Sequence, residues 1–209
     1  TQGTISNCYA TANVTGEWWV GGLVGIAFGT VTDCYAISEV TGLEAIGGLV
    51  GIAFGTVTDC NAAGSVNGTS CAGGLVGYIY EGCVSGSYST ATVTGVLTTT
   101  GGLAGYNEDG TVRDSYSSGS VTGSFIVGGL VGQNSGNVTN SFWDTETSGQ
   151  ATSDGGTGKT TAEMQDITTF SGASWDIVAV ANPTMRNLAY IWNIVDDETY
   201  PFLSWESVS

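Results

Sequence analysis

Apolar and polar positions in this chain follow a short alternation nested inside a long period. In the segment CYAISEV, Cys34, Ala36, Ser38 and Val40 share one parity. The matching residues elsewhere, Ala10, Ala12, Ala62, Gly64, Ser89, Ala91, Ser117 and Gly119, are all small. The other parity varies and is mostly polar, as at Thr11, Asn13, Glu39, Ser65, Thr90, Thr92, Ser118 and Ser120. A period of two predicts strands with one buried face. Small inward residues predict that an opposing sheet lies close behind. β-Branched residues between glycine-rich turns favour strand over helix.

The long period is carried by Gly-Gly-Leu-(Val/Ala)-Gly, which starts at Gly21, Gly47, Gly73, Gly101 and Gly128, at spacings of 26, 26, 28 and 27. Residues 21–34 recur letter for letter at 47–60. Leu23, Leu49, Leu75, Leu103 and Leu130 form one column, and Val31, Val57, Val84, Val112 and Val138 another. A third, Val14, Val40, Val66, Val93 and Val121, is followed each time by Thr or Asn and then Gly. A fixed period of this size is the signature of a solenoid, in which each repeat stacks on its own copy. The longer repeats put most of their extra residues at one corner, where GYIYEG and GYNEDG replace GIAFG. That corner is therefore expected to be a surface turn.

The expected fold is all-β: a parallel β-solenoid, or β-helix, of about 26-residue coils with a small mixed C-terminal cap. Residues 1–142 form the solenoid, which starts mid-repeat because Gly3, Cys8 and Val14 align with Gly29, Cys34 and Val40. Residues 143–209 form a capping or assembly region. There TTAEMQD reads as a short helix with Thr160 or Thr161 as N-cap, and WNIVDDETYPFLSW reads as strand, turn, strand.

Charge narrows the function. The chain has 3 Lys and Arg against 19 Asp and Glu, a net charge of −16, and no histidine. No basic footprint exists for nucleic acid or an anionic membrane. The usual general base and the common zinc ligand are both missing. No apolar run approaches the ~18 residues that read as a membrane-spanning helix.

The motifs GGLVG, G-x-V-x-(D/N)-(C/S)-Y and V-T-G resemble the GLUG repeat, named for its Gly-Leu-hydrophobic-Gly core. The segment 140–166 is similar to one that closes such arrays. The resemblance implies a secreted or cell-surface protein of a microbe and an accessory module with no chemistry of its own. Some relatives carry a zinc peptidase motif in another domain; a chain without histidine does not share that activity.

Candidate sites follow the columns. Asp33, Asp59 and Asp114, with Asn7 and Asn140, precede the Cys/Ser column. Stacked carboxylates could hold Ca²⁺ or act as acid and base. The simpler reading is an Asx side chain serving its own turn in every coil. The acidic runs at 107–110 and 196–199 are weaker Ca²⁺ candidates of the same kind.

Tyr9, Tyr35, Tyr88, Tyr116 and Phe142 form an aromatic column, broken by Asn61, that would face outward as a binding stripe. Cys8, Cys34 and Cys60 share a column with Ser87, Ser115 and Ser141, which suggests a small buried residue. Cys71 and Cys83 lie off that column and are the expected disulfide pair. Asn13, Asn67 and Asn137 stand in N-x-T sequons, so they are glycosylation candidates.

These features predict a non-catalytic extracellular structural protein of a microbial cell surface, with no catalytic residue and no cofactor beyond the Ca²⁺ candidate. It would self-assemble end to end through its coil ends into a filament or sheath. The alternative is a monomeric adhesin or carbohydrate-binding stalk, with glycans or host surface ligands on the aromatic column. Neither reading involves nucleic acid or membrane insertion.

Overall fold

The structure, a computed structural model, describes residues 2–206. Thr1 and residues 207–209, at the outer limits of the two expected domains, lie outside the described residues. The chain divides between Gly158 and Lys159 into two compact units.

The first unit is a parallel β-solenoid whose coils visit three sheets in turn. In one coil these stations are Tyr35–Gly47, Val50–Ala53 and Thr56–Thr58, in sheets of thirteen, five and six strands. Register follows the sequence period: Thr30↔Thr56, Val40↔Val66 and Val24↔Val50 pair directly across coils. The two longer repeats swell at the expected corner, where Ile79 still pairs with Ala53 but Cys83 pairs with Thr56. A second swelling falls near residues 96–99, since Gly68 pairs with Gly95 but Ala72 with Thr100.

Two apolar cores result. The main one stacks the leucine column, Val24, Val50 and Val76, the valine column from Val31 to Val112, and Cys34 and Cys60. Each fully buried Val or Leu contributes about 1.5–3 kcal/mol of transfer free energy. The second core holds Val20, Val40, Ile46, Val66, Ala72, Ala91, Val93 and Val121. It exists because the chain folds back on itself after each V-T-G. A Cβ on Gly42 would stand 2.5 Å from Ile46 Cδ1, and one on Gly68 would stand 2.8 Å from Ala72 Cβ. Glycine lets residues four apart touch across the bend.

The paired glycines of the pentad serve the inter-coil spacing. A Cβ on Gly48 would lie 2.2 Å from the Gly74 carbonyl oxygen and 3.0 Å from Ala62 Cβ. The small inward residues of the alternating segment thus face a bare backbone, as their size predicts.

The solenoid stops inside this unit. Elsewhere the amides of each leucine and its successor donate to the leucine carbonyl of the next coil, as Leu103 and Ala104 do to Leu130 at 2.8 and 3.1 Å. In the last coil the Ser153 hydroxyl takes that place, accepting from Leu130 and Val131 at 3.1 and 2.9 Å. The Thr152 carbonyl accepts from Gly129, and Asp154 Oδ2 accepts from Asn134. Trp143 occupies the column of Ala36, Ala62, Ser89 and Ser117 and lies against Gly129, where a Cβ would be 2.0 Å from the indole. A large ring replaces a small residue at the point where no further coil needs the space.

The second unit is small and mixed. Helices Thr161–Gln165 and Ile167–Ser171 precede a sheet in which Ile177–Ala179 pairs parallel to Trp192–Ile194, and the latter pairs antiparallel to Phe202–Leu203. Thr160 is the N-cap, in a full capping box with Glu163. Phe170, Trp175 and Trp192 meet at centroid distances of 4.8 and 4.9 Å.

Candidate functional site

The Asx column sits at a corner where the backbone turns left-handed. Asn7, Asp33, Asp59, Asp114 and Asn140 have φ of 52°, 52°, 52°, 50° and 48°, and Gly86 fills the same corner at 56°. Asn, Asp and Gly are the residues that enter this region at least cost. The column is selected by backbone shape, which supports the turn reading. Its carboxylates remain local: Asp33 accepts from Thr32 Oγ1 at 3.1 Å, and Asp114 pairs with Arg113 at 3.0 Å. Burial, and then the nearby Asp33 charge, push Asp59 up to about 6.

Among the described residues no three His, Cys, Asp or Glu side chains come close enough together to hold a metal. Of the other two acidic runs, 107–110 ends a strand and enters a corner, and 196–199 lies at a turn. Asn107 is buried against Gly110 and Asn134, and Asp109 has φ of 52°. Asp196 accepts from the Ile167 amide at 2.8 Å, and Asp197 has φ of 61°.

Directly after this corner runs a hydrogen-bonded spine. The amides of Cys60, Ser87 and Ser115 donate to the hydroxyls of Ser87, Ser115 and Ser141 at 3.1, 3.2 and 3.2 Å. The Cys8 amide donates likewise to Cys34 Sγ at 3.4 Å. Each side chain in turn donates to the carbonyl two residues earlier, as Ser87 does to Ser85 at 2.8 Å and Cys34 to Thr32 at 3.0 Å. The Cys/Ser interchange therefore reflects more than size. The position needs a small side chain that both accepts and donates.

The aromatic column is stacked in two pieces. Tyr9 and Tyr35 lie 5.3 Å apart at 9°, and Tyr88 and Tyr116 lie 5.0 Å apart at 2°. Its exposure falls along the solenoid, from 65% at Tyr9 to 1% at Tyr116 and 7% at Phe142. The expectation of an open stripe is corrected at Tyr116 and Phe142, which are buried. Stacking also spends ring faces on neighbouring rings, so the column offers a ligand mainly edges.

The Cys71–Cys83 pairing is corrected as well. Cys71 belongs to the thirteen-stranded sheet and Cys83 to the six-stranded one, and both thiols are free. Of the sequon residues, Asn13 and Asn137 are exposed and Asn67 is half-buried. Asn13 donates to Glu39 at 3.3 Å.

Three surface features escaped the sequence reading. Phe28, Phe54 and Tyr80 form a second aromatic ladder, with centroids 4.7 and 5.6 Å apart. Tyr78 and Tyr106 stack beside it at 5.2 Å, and the Tyr78 hydroxyl donates to Glu108. Burial, and then that carboxylate, hold the Tyr78 phenol above its ordinary value. Trp18, Leu43, Leu97 and Phe125 protrude from the fold-back turns. Beside them runs a groove of about 520 Å³ floored by Gly16, Gly42 and Gly68. Phe28 and Phe54 stood within the repeated fourteen residues, so their periodicity was the signal available.

A family model described as the GLUG motif matches residues 17–41, 42–67 and 97–122. A protein of Evansella cellulosilytica whose name describes it as a Gly-rich membrane protein is 40% identical over 80 residues. That alignment covers 36% of this chain and 8% of the relative, so the chain spans a small fraction of that protein. No helix among the described residues is long and apolar enough to cross a membrane, which says nothing of β-barrels. No solved structure matches. The three matched stretches lie within the in-register β-solenoid of the first unit, so that unit carries three GLUG motifs.

Proposed function

We propose that this chain is a non-catalytic structural module of a microbial cell surface, forming the sealed end section of a β-solenoid array. The observation that carries this reading is the closure of the last coil by Ser153, Thr152 and Asp154, set against strands at 4–6, 9–10 and 14–15 that pair on one side only. One edge is finished and the other fits a further coil of the same design, from the same polypeptide or from another copy. The side chains in the columns serve the stack itself, as turn formers, spine and core, and their carboxylates do not converge on a cleft. The array's acidic, lightly charged surface suits an extracellular setting.

Light scattering and negative-stain electron microscopy test the reading. The expected result is monomer or dimer mass without filaments, with proline at Ile5 or Val14 reducing any dimer. Long filaments would overturn the sealed-end argument. Turnover of a polysaccharide by the purified chain would overturn the non-catalytic one.

A further inference from the structure

Cys8, Cys34 and Cys60 occupy one column on successive coils, as the pairings Tyr9↔Tyr35 and Tyr35↔Asn61 require. Neighbouring strands lie about 4.8 Å apart, inside the roughly 4.4–6.8 Å Cα separation that a disulfide spans. The three thiols share one orientation, donating to Ser6, Thr32 and Thr58 carbonyls at 3.2, 3.0 and 3.1 Å. Cys34 Sγ lies 3.4 Å from the Cys8 amide nitrogen. Beyond Cys60 the column continues as serine, so only two axial pairs exist. Cys8 is exposed, whereas Cys34 and Cys60 are buried. Burial pushes the Cys60 thiol up, while the neighbouring Cys60 side chain holds the Cys34 thiol below its ordinary value. Cys34 is therefore the buried thiol whose ionisation is favoured, and Cys8 the one that solvent reaches.

We propose that Cys8 and Cys34 form an axial disulfide that staples the first coil to the second when the chain meets an oxidising small-molecule disulfide. With oxidised glutathione, the Cys8 thiolate attacks one sulfur, forms a mixed disulfide and releases one glutathione thiolate. The Cys34 thiolate then attacks the Cys8 sulfur and expels the second. Two thiol protons are lost, and the electron pair given up by the two cysteines reduces the glutathione disulfide to two thiols. Chemistry of this kind requires a thiolate with access to its target. The bond ties down the coil edge that pairs on one side only, where local opening starts at least cost.

The test is thiol mapping of the full chain. It is oxidised with glutathione disulfide, alkylated, digested without reduction and read by mass spectrometry. The expected product is a peptide pair joined through Cys8 and Cys34, with Cys60, Cys71 and Cys83 alkylated. Amide exchange over residues 4–15 should slow by roughly tenfold on oxidation. Cys8→Ser should abolish the link and the slowing while keeping the fold, since serine makes the same spine bonds. Five alkylated thiols, a lasting glutathione adduct on Cys8, a Cys34–Cys60 link or a link between molecules would each overturn the proposal. The readout is independent of assembly, so it can fail while the structural reading stands.

Discussion

The two units are held together by different means. In the first, most residues have a counterpart one coil away, and stability comes from repetition: short columns of Val, Leu and Ala, backbones stacked through glycine, and one side-chain spine. In the second nothing repeats. A few large rings fill its centre, and single polar side chains fix its turns. A small unit has little surface to bury and must bury it in large pieces. A solenoid gains core with each coil and can use small ones.

The contrast predicts different weak points. In the second unit the largest effect should come from one ring. Trp192 is 1% exposed and packs on Trp175. Trp192→Ala should cost about 3–5 kcal/mol, measured by loss of amide protection across residues 177–203. Protection in the solenoid should persist; simultaneous loss in both units would break the comparison.

In the solenoid the vulnerable atoms are those that are absent. Gly48→Ala adds one methyl group, yet the neighbour it meets is backbone of the next coil, which cannot rotate away. About 3 kcal/mol should be lost, seen as a lower denaturant midpoint. Gly149→Ala is the control. That residue, unlike Gly48, has positive φ, 69°, and nothing lies within 4 Å of the added carbon. Backbone strain alone should cost about 1–2 kcal/mol.

The spine gives a third, smaller effect. Ser115 accepts from the Ser87 amide and donates to the Arg113 carbonyl at 2.7 Å, fully buried. Ser115→Ala strands both groups and should cost about 1–3 kcal/mol. Ser115→Cys should cost less, because Cys34 and Cys60 already fill that column. Equal losses would mean that the position selects for size alone.

The first unit was legible because copying a sequence copies its environment. Aligning the pentads fixed the coil, the register and the main core. What stayed hidden was geometry that leaves no mark on composition. The left-handed corner appeared as an Asx column without its cause. The second core lay in valines already noted, but the fold-back at Gly42 that makes it a separate core preserves the alternation on either side. Local chemistry exposed the Thr160 cap and the hairpin of the second unit. No local signal paired Asn193 with the Asn187 amide at 2.6 Å, or Asp176 with the Ile191 amide at 3.1 Å, because those partners are brought together by folding.

Repetition also has an electrostatic cost, and Asp59 measures it. Stacking identical corners puts the Asp33 and Asp59 carboxylates on adjacent coils, and the second unit has no such enforced neighbours. Burial and that repulsion raise Asp59 from an ordinary carboxylate value of 3.8 to about 6 in the fold. The folded state thus holds the proton more tightly than the unfolded chain. Its stabilising effect is fully present below pH 3.8 and is lost as pH rises to about 6. Asp59→Asn keeps a residue suited to the left-handed corner, as Asn7 and Asn140 show, and removes the charge. It should stabilise the solenoid at pH 7 by about 1 kcal/mol, allowing for solvent screening at this partly exposed site. The gain should vanish near pH 4 in denaturant titrations run across that range. Asp33→Asn should recover the smaller share due to repulsion, leaving the burial cost in place. If Asp33→Asn matched Asp59→Asn, the stacking of like corners would outweigh burial as the source of the shift.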